Sequence, residues 1–270
     1  MEPLSVAYGG LRNRKATKMT ANYHSHTTRC HHATGTQREY VEKAIEAGYR
    51  VFGFSDHTPY PYNNGFVSPI RMLPDELEDY VRETLDLKEE YKKDIDIKLG
   101  LEVEYYPKHF EDLMRLCEPY PIEYFLLAQH HTENEYDGTY VGFPTQDERV
   151  LERYCSQIGE ALAVGKFLYL AHPDLVNYKG EEAVYERHMR ALCKKVKEYG
   201  LPLEINFLGI WDGRNYPDRR FWKIAGEEQM DVVFGADAHH VSKIWLPECE
   251  KVAMQIVEEN GLHLLTQMDI

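Results

Sequence analysis

The chain has 270 residues, 43% hydrophobic and 12% aromatic, a length that α/β barrels reach as one domain and a composition that can fill a large core. Its formal charge of −14 argues against broad binding to nucleic acid or to an anionic membrane surface, since no positive field is on offer. A small phosphorylated substrate stays open, because bound divalent cations reverse the local sign.

In chain order, residues 1–18 are polar and turn-rich with no apolar segment of the signal-peptide kind, and are expected to form a loosely ordered extension before a single domain over 19–270. A first strand ends near Tyr23. Thr36 followed by Glu39 makes a capping box, opening a helix that ends near Gly48. A second strand over 51–54 leads into a long loop rich in Pro, Asn and Gly, and Pro74, Asp75 and Glu76 begin a charged helix reaching about Lys93. Further strands are predicted over 97–103, 124–128, 167–171, 203–205 and 232–235, with helices over 147–163, 181–199 and 217–228. Such alternation implies βαβ units and a parallel sheet. Seven strands without an obvious linker favour a closed or nearly closed barrel over an open doubly wound sheet.

Glycine-rich nucleotide loops and GxSxG elbows are absent. Five scattered cysteines (Cys30, Cys117, Cys155, Cys193, Cys249) form no CxxC pair and predict a reduced, cytoplasmic protein. The most apolar stretch, 161–171, is short and broken by Lys166, so no membrane span is expected.

The residues that follow the strands carry the chemistry. His24 and His26 follow the first, with His32 six residues on; Asp56 and His57 follow the second; Glu102 and Glu104 lie on the third. His130 and His131 follow the fourth, His172 the fifth, Asn206 the sixth, and Asp237 with His239 and His240 the seventh. Barrel enzymes gather their chemistry at C-terminal strand ends, from several strands at once. One histidine after a strand is more often an ordinary hydrogen-bonded residue; so many at equivalent ends predict a metal site. Imidazole with carboxylate favours zinc, iron or manganese over magnesium or calcium. Residues two apart in extended chain face one side, so His24 and His26 can reach one ion, as can Asp237 and His239. Two such pairs plus single histidines exceed the ligands of one zinc site, and more than one metal is expected. Adjacent residues face opposite ways, which favours His130 over His131 and His239 over His240, and leaves His31 and His32 open. His109, His188 and His263 are expected to be ordinary surface residues. Glu104 could share the face of Glu102 or serve a structural role, and Asp56 could orient a neighbour or simply form a turn.

At these residues the chain resembles the PHP family, named for polymerase and histidinol phosphatase, and especially its stand-alone histidinol-phosphatase branch. The matching segments are Tyr-His24-Ser-His26-Thr with His32 downstream, Phe-Ser-Asp56-His57, Gly-Leu-Glu102-Val-Glu104-Tyr, Gln-His130, Ala-His172-Pro-Asp-Leu and Gly-Ala-Asp237-Ala-His239. They occur in family order from about residue 20 to 240. The resemblance implies a distorted (β/α)7 TIM-like barrel with three divalent metal ions (Zn, Mn or Fe). By motif, His24, His26, Glu102 and Asp237 would hold one ion; Glu102 would bridge to a second, completed by His130 and His172; His32, His57 and His239 would hold the third. The spacing from His26 favours His32 over His31 in that role.

The activity implied is hydrolysis of L-histidinol phosphate to L-histidinol and phosphate, in histidine biosynthesis. Alternatives are a PHP phosphoesterase acting on a nucleotide, sugar phosphate or phosphotyrosine, and a non-catalytic metal-binding module. Metals about 3.5–4 Å apart can activate a bridging water and neutralise the phosphate, with Glu102 or Asp237 steering the water or taking its proton. Water or His240 would protonate the leaving alkoxide. Arg71 and Arg214 are the expected phosphate contacts, since guanidinium pairs with phosphate bidentately, and Asn206 is expected to fix the substrate or a water.

Overall fold

The structure is a computed structural model that describes residues 19–270; the extension expected over residues 1–18 lies outside the described residues. Helix α1 (Gln37–Ala47) shows local sequence setting an element. The Thr36 hydroxyl accepts from the Glu39 amide, the Glu39 carboxylate accepts from the Thr36 amide, and Gly48 closes the helix at φ 83°. The cap satisfies amides that the first turn cannot pair, and glycine takes the left-handed conformation without a Cβ clash. Asp147 and Asp218 cap α4 (Glu148–Leu162) and α7 (Arg219–Glu227) through single bonds. The remaining helices are α2 (Leu77–Glu90), α3 (Phe110–Cys117), α5 (Glu182–Glu198), α6 (Phe207–Asp212) and α8 (Pro247–Asn260). None of those described is long and apolar enough to cross a membrane.

Strands β1 (Ala21–Asn22), β2 (Val51–His57), β3 (Asp96–Glu104) and β4 (Tyr124–Ala128) form one parallel sheet in that order. A second parallel run comprises β5 (Leu203–Asn206), β6 (Asp231–Gly235) and β7 (His263–Leu264). The strand predicted over 167–171 is not continuous, yet it joins the two runs. Leu170 bridges Leu127 on one side and Leu203 on the other, and the Leu168 and Ala171 amides donate to the Phe125 and Leu127 carbonyls, each at 2.8 Å. On the far side the ring closes beyond the strand ends: the His26 amide donates to Ala238 O at 3.0 Å, and the Asn22 side chain accepts from the Ala236 amide at 2.8 Å. β7 enters only beside Asp231 and Val232, at the opening of β6, where the Met268 amide bonds the Tyr23 hydroxyl at 2.9 Å. The architecture is therefore the expected α/β barrel of seven parallel staves, distorted where the fifth stave thins to single bridges and where β7 wedges between β6 and β1.

The barrel interior grades from apolar to polar along the strands. Near the strand starts Tyr124 fills the lumen, its hydroxyl donating to Tyr23 O at 2.7 Å and to Phe54 O at 3.0 Å. A Cβ on Gly100 would lie 2.3 Å from that ring, and one on Gly53 2.2 Å from its hydroxyl, so both glycines make room for the tyrosine. Replacing Gly100 by alanine is expected to cost about 1–3 kcal/mol through overpacking, read as a Tm lower by several degrees with metal content unchanged. An unaltered Tm would show that the Tyr124 ring can move aside.

Candidate metal centre

Strand register brings the first site residues together: His57 of β2 pairs directly with Glu102 of β3. The Glu102 carboxylate then faces a ring of imidazoles. Its Oε1 lies 2.9 Å from His172 Nε2, 3.4 Å from His24 Nε2 and 3.8 Å from His130 Nε2, while Oε2 lies 2.7 Å from His57 Nδ1 and 3.7 Å from His26 Nε2. Asp237 Oδ1, from the segment after β6, sits 3.1 Å from His26 Nε2 and 3.6 Å from His24 Nε2. Beyond His26 the rings of His239 and His32 follow, with centroids 4.0 Å and 4.5 Å along the stack, and His57 lies 5.5 Å from His32. Ligand atoms lie mutually within 4.8 Å in the sets His24–His26–Asp237, His24–Glu102–His172, His26–His57–Glu102 and His32–His57–His239.

The unpartnered atoms show what these sets suit. Fully buried His24 Nε2, His26 Nε2, His57 Nδ1, His239 Nε2, Glu102 Oε2 and Asp237 Oδ1 have no hydrogen-bond partner. Orphaned buried polar atoms cost about 1–3 kcal/mol each, so such a concentration is a site built for something else. The separations above bracket the edge of a tetrahedron with bonds of about 2.1 Å, roughly 3.4 Å. Nitrogen and carboxylate donors at that spacing fit a divalent transition ion. Cys30, beside His26 and His239, is a poor metal ligand: its thiol donates a hydrogen bond to Thr27 O at 3.1 Å, and burial pushes its pKa up.

Electrostatics carry the same signature. Burial opposes charge on His24, yet Glu204, Asp237 and Glu102 outweigh it and hold the ring well above its ordinary pKa. Burial is likewise overcome at His26, by Asp237 and Asp56, and the pKa rises to about 9. His57 goes the other way, where burial wins and drives it to about 3. Glu102 and Asp237 stay charged against burial because imidazoles surround them. The backbone is strained at the same place: His172 and Asp237 have φ of 29° and 47°, a conformation that costs a non-glycine residue about 1–3 kcal/mol.

Behind these rings stand further buried carboxylates. Asp56 lies 3.4 Å from His26 Nδ1 and accepts from the Thr27 and His57 amides. Glu104 lies 3.1 Å from His130 Nδ1 and accepts from the His130 and His131 amides at 2.9 and 3.0 Å. Glu204, not foreseen from the sequence, lies 2.8 Å from His24 Nδ1. Its signal is an acid in the middle of the short apolar strand Leu203-Glu204-Ile205, two residues before Asn206 and therefore on the same face.

A cleft of about 450 Å³ opens above the cluster, floored by Glu102, Asp237 and histidines and walled by Tyr140, Trp211, Tyr216 and Arg214. Arg214 is held there by Asp212 at 2.9 Å and by the Tyr216 hydroxyl at 3.2 Å. Two expected substrate contacts lie elsewhere. Arg71 does not line the cleft: its guanidinium is buried against Glu104, Glu135 at 2.6 Å and the Tyr106 hydroxyl at 3.1 Å, because the Glu104 and Glu135 carboxylates claim it. Asn206 is buried too, its amide donating to Glu204 at 2.8 Å and Asp237 at 3.1 Å while its oxygen caps α6, so no group is left for substrate. His31 points to Glu76, and His32 joins the ring stack. Of the three histidines expected at the surface, His263 is exposed, whereas His109 bonds the Tyr136 hydroxyl at 2.9 Å and His188 packs beside Glu148.

The PHP domain family model matches residues 22–207. A Deinococcus radiodurans protein named "Probable histidinol-phosphatase" is 28% identical over 234 residues, spanning 82% of this chain and 86% of that one. The Bacillus subtilis histidinol-phosphatase is 26% identical over 255 residues, spanning 82% and 94%. The structure of a Lactococcus lactis histidinol phosphate phosphatase, solved with zinc, L-histidinol and phosphate, superposes with a TM-score of 0.71 at 17% identity, covering 93% of this chain and 99% of that one.

Proposed function

Because the chain belongs to the PHP domain family, we propose that it is a metal-dependent phosphomonoesterase that hydrolyses L-histidinol phosphate to L-histidinol and phosphate. The observation that carries the phosphoesterase reading is the set of unpartnered imidazole and carboxylate atoms on the floor of an open cleft. The histidinol-phosphatase relatives, matched over most of their length, support the substrate.

In this reading His24, His26, Glu102 and Asp237 would hold one divalent ion, Glu102 with His130 and His172 would hold a second, and His32, His57 and His239 a third. Zinc, manganese or iron would supply positive charge for the phosphoryl oxygens and bring the pKa of water down to about 7. The protein does the rest. Asp237, one carboxylate oxygen held by Asn206, steers the attacking water, whose proton passes to solvent. The water oxygen bonds to phosphorus, the ester P–O bond breaks, and the departing alkoxide takes a proton from solvent. Arg214 reaches in from the wall to the phosphoryl group. Tyr140, Trp211 and Tyr216 enclose the remainder of the ester and exclude water.

The test is phosphate release from L-histidinol phosphate by protein loaded separately with manganese, zinc or iron, beside nucleotide, sugar and aryl phosphates and a His24→Ala control. Preference for histidinol phosphate, lost in the control, is expected. Faster turnover of another ester would keep the chemistry and sink the substrate. Arg214→Ala is expected to raise KM roughly ten- to hundredfold, the loss of a charged hydrogen bond worth about 1.5–3 kcal/mol, with a smaller change in kcat. An unchanged KM would remove Arg214 from the phosphate.

A further inference from the structure

Glu204 sits below the centre with no solvent exposure, and all four of its contacts are with groups that can donate. Oε1 is 2.8 Å from His24 Nδ1 and accepts from the Tyr169 hydroxyl at 3.2 Å. Oε2 accepts from the His172 amide at 3.0 Å and from Asn206 Nδ2 at 2.8 Å. One carboxylate thus touches the ring of one expected ligand, the backbone of a second, and through Asn206 the carboxylate of a third, Asp237. The space is made for it: a Cβ on Gly235 would lie 1.7 Å from Oε1. A buried carboxylate is costly unless it is paired and hydrogen-bonded, and three of the four partners here are His24, His172 and Asn206.

We propose that Glu204 is a positioning residue that fixes His24 in the Nδ1–H tautomer, leaving Nε2 as the metal ligand, and anchors His172 beside it, so that metal affinity depends on it. This rests on the reading of His24 and His172 as ligands. Once a metal has displaced the ring's second proton, a nitrogen that donates to a carboxylate leaves the other as a lone pair, oriented and made more basic by the charge behind it. Here that other nitrogen is His24 Nε2, unpartnered and 3.4 Å from Glu102. His172 has φ of 29°, and the hydrogen bond that its backbone N–H donates to Glu204 holds that turn.

The isosteric amide is a sharp probe, because Glu204→Gln cannot satisfy both sides. If its NH2 faces the His172 amide and Asn206 Nδ2, donor meets donor. If it flips, the NH2 donates to His24 Nδ1, which must then be unprotonated, and the proton moves to Nε2 where the metal should bind. Either arrangement weakens the centre without changing side-chain volume.

The experiment measures zinc and manganese affinity and stoichiometry by competition with a chromophoric chelator, for the full chain, Glu204→Gln and His24→Ala. Nitrogen-15 histidine NMR on the zinc-loaded wild type runs beside it. Expected are affinity weakened roughly 10–100-fold in Glu204→Gln, with a circular dichroism spectrum like the wild type, and a His24 signal with Nδ1 protonated and Nε2 bound. Wild-type affinity and stoichiometry in Glu204→Gln, where His24→Ala does lose metal, would overturn the proposal and leave the ligand reading standing. Undiminished binding in His24→Ala would instead overturn that reading. Should Glu204→Gln not fold, the NMR decides alone: Nδ1 ligation in the wild type refutes the proposal.

Discussion

A Glu102→Gln protein is expected to lose metal and to fall by about 10³-fold or more in kcat/KM for L-histidinol phosphate. Removing one preorganised electrostatic group from an active site already costs roughly 10²–10³. Glu102 serves more than one position, because its two oxygens face five imidazoles at 2.7–3.8 Å. Glutamine keeps the shape and changes two things. The negative charge that would offset two adjacent dications disappears, and an NH2 replaces one oxygen. That NH2 either meets His172 and His24 or meets His57 and His26, and on either side it occupies the direction from which a cation would be held. Alanine at His32 or His239 is expected to do less, since those rings lie at the open end of the stack and Glu102 lies at its centre. Metal analysis after gel filtration and steady-state phosphate release, made on the same preparation, check the effect. Turnover within tenfold of the wild type, with full metal content, would show that Glu102 is not the shared ligand.

The contrast between Glu102 and Glu204 explains what the sequence could and could not convey. The periodic elements were legible because their signals are local. The capping box of Thr36 and Glu39, the apolar run of β4 and the alternation of strand with helix each lie within a few residues. Elements without a turn signal escaped. α6 starts directly at the end of β5, with Asn206 serving both as last strand residue and as helix cap, so no loop separates them. The apolar run over 167–171 predicts a strand, but its neighbours pair with it only around Leu170. Candidate ligands stand out because histidines and carboxylates at so many strand ends have no structural reason to recur. Side-chain direction is a tertiary property with no local signal. Arg71 and Arg214 both occupy polar loops, yet Glu104 and Glu135 draw Arg71 into the interior, while Asp212 and Tyr216 hold Arg214 at the cleft wall. Glu204 escaped because one acid in a four-residue strand looks the same whether it faces a helix, solvent or a metal ligand.

The stripped protein is expected to be most stable near neutral pH, and divalent metal is expected to extend that stability mainly towards alkali. His24 and His26 have folded pKa values above their ordinary 6.5, about 9 for His26, because carboxylates outweigh burial. Their contribution is fully present below about 6.5 and is lost as pH rises through the folded values. His57, at about 3, and His239, held well below its ordinary value, are neutral when folded. The unfolded chain takes up protons that these two refuse, so stability also falls as pH drops below about 6.5. Asp174, raised to about 7 by burial, is charged in the unfolded chain and resists charging when folded, so it too lowers the stability of the stripped protein as pH rises to about 7. In the proposed centre a divalent ion would take the place of protons at His24 and His26, beside Glu102 and Asp237. It stabilises by about 4 kcal/mol at a free concentration a thousandfold above Kd. Because the ligands must be deprotonated, that stabilisation grows with pH over the interval in which the stripped protein weakens. Two series of Tm against pH, one in chelator and one in excess zinc or manganese, should therefore diverge from pH 6 towards the folded pKa of His26, about 9. Calorimetric titrations in buffers of different ionisation enthalpy should record proton release over the same interval. Parallel curves would mean that the cation does not bind through these imidazoles, and would send the search for its ligands elsewhere in the cleft.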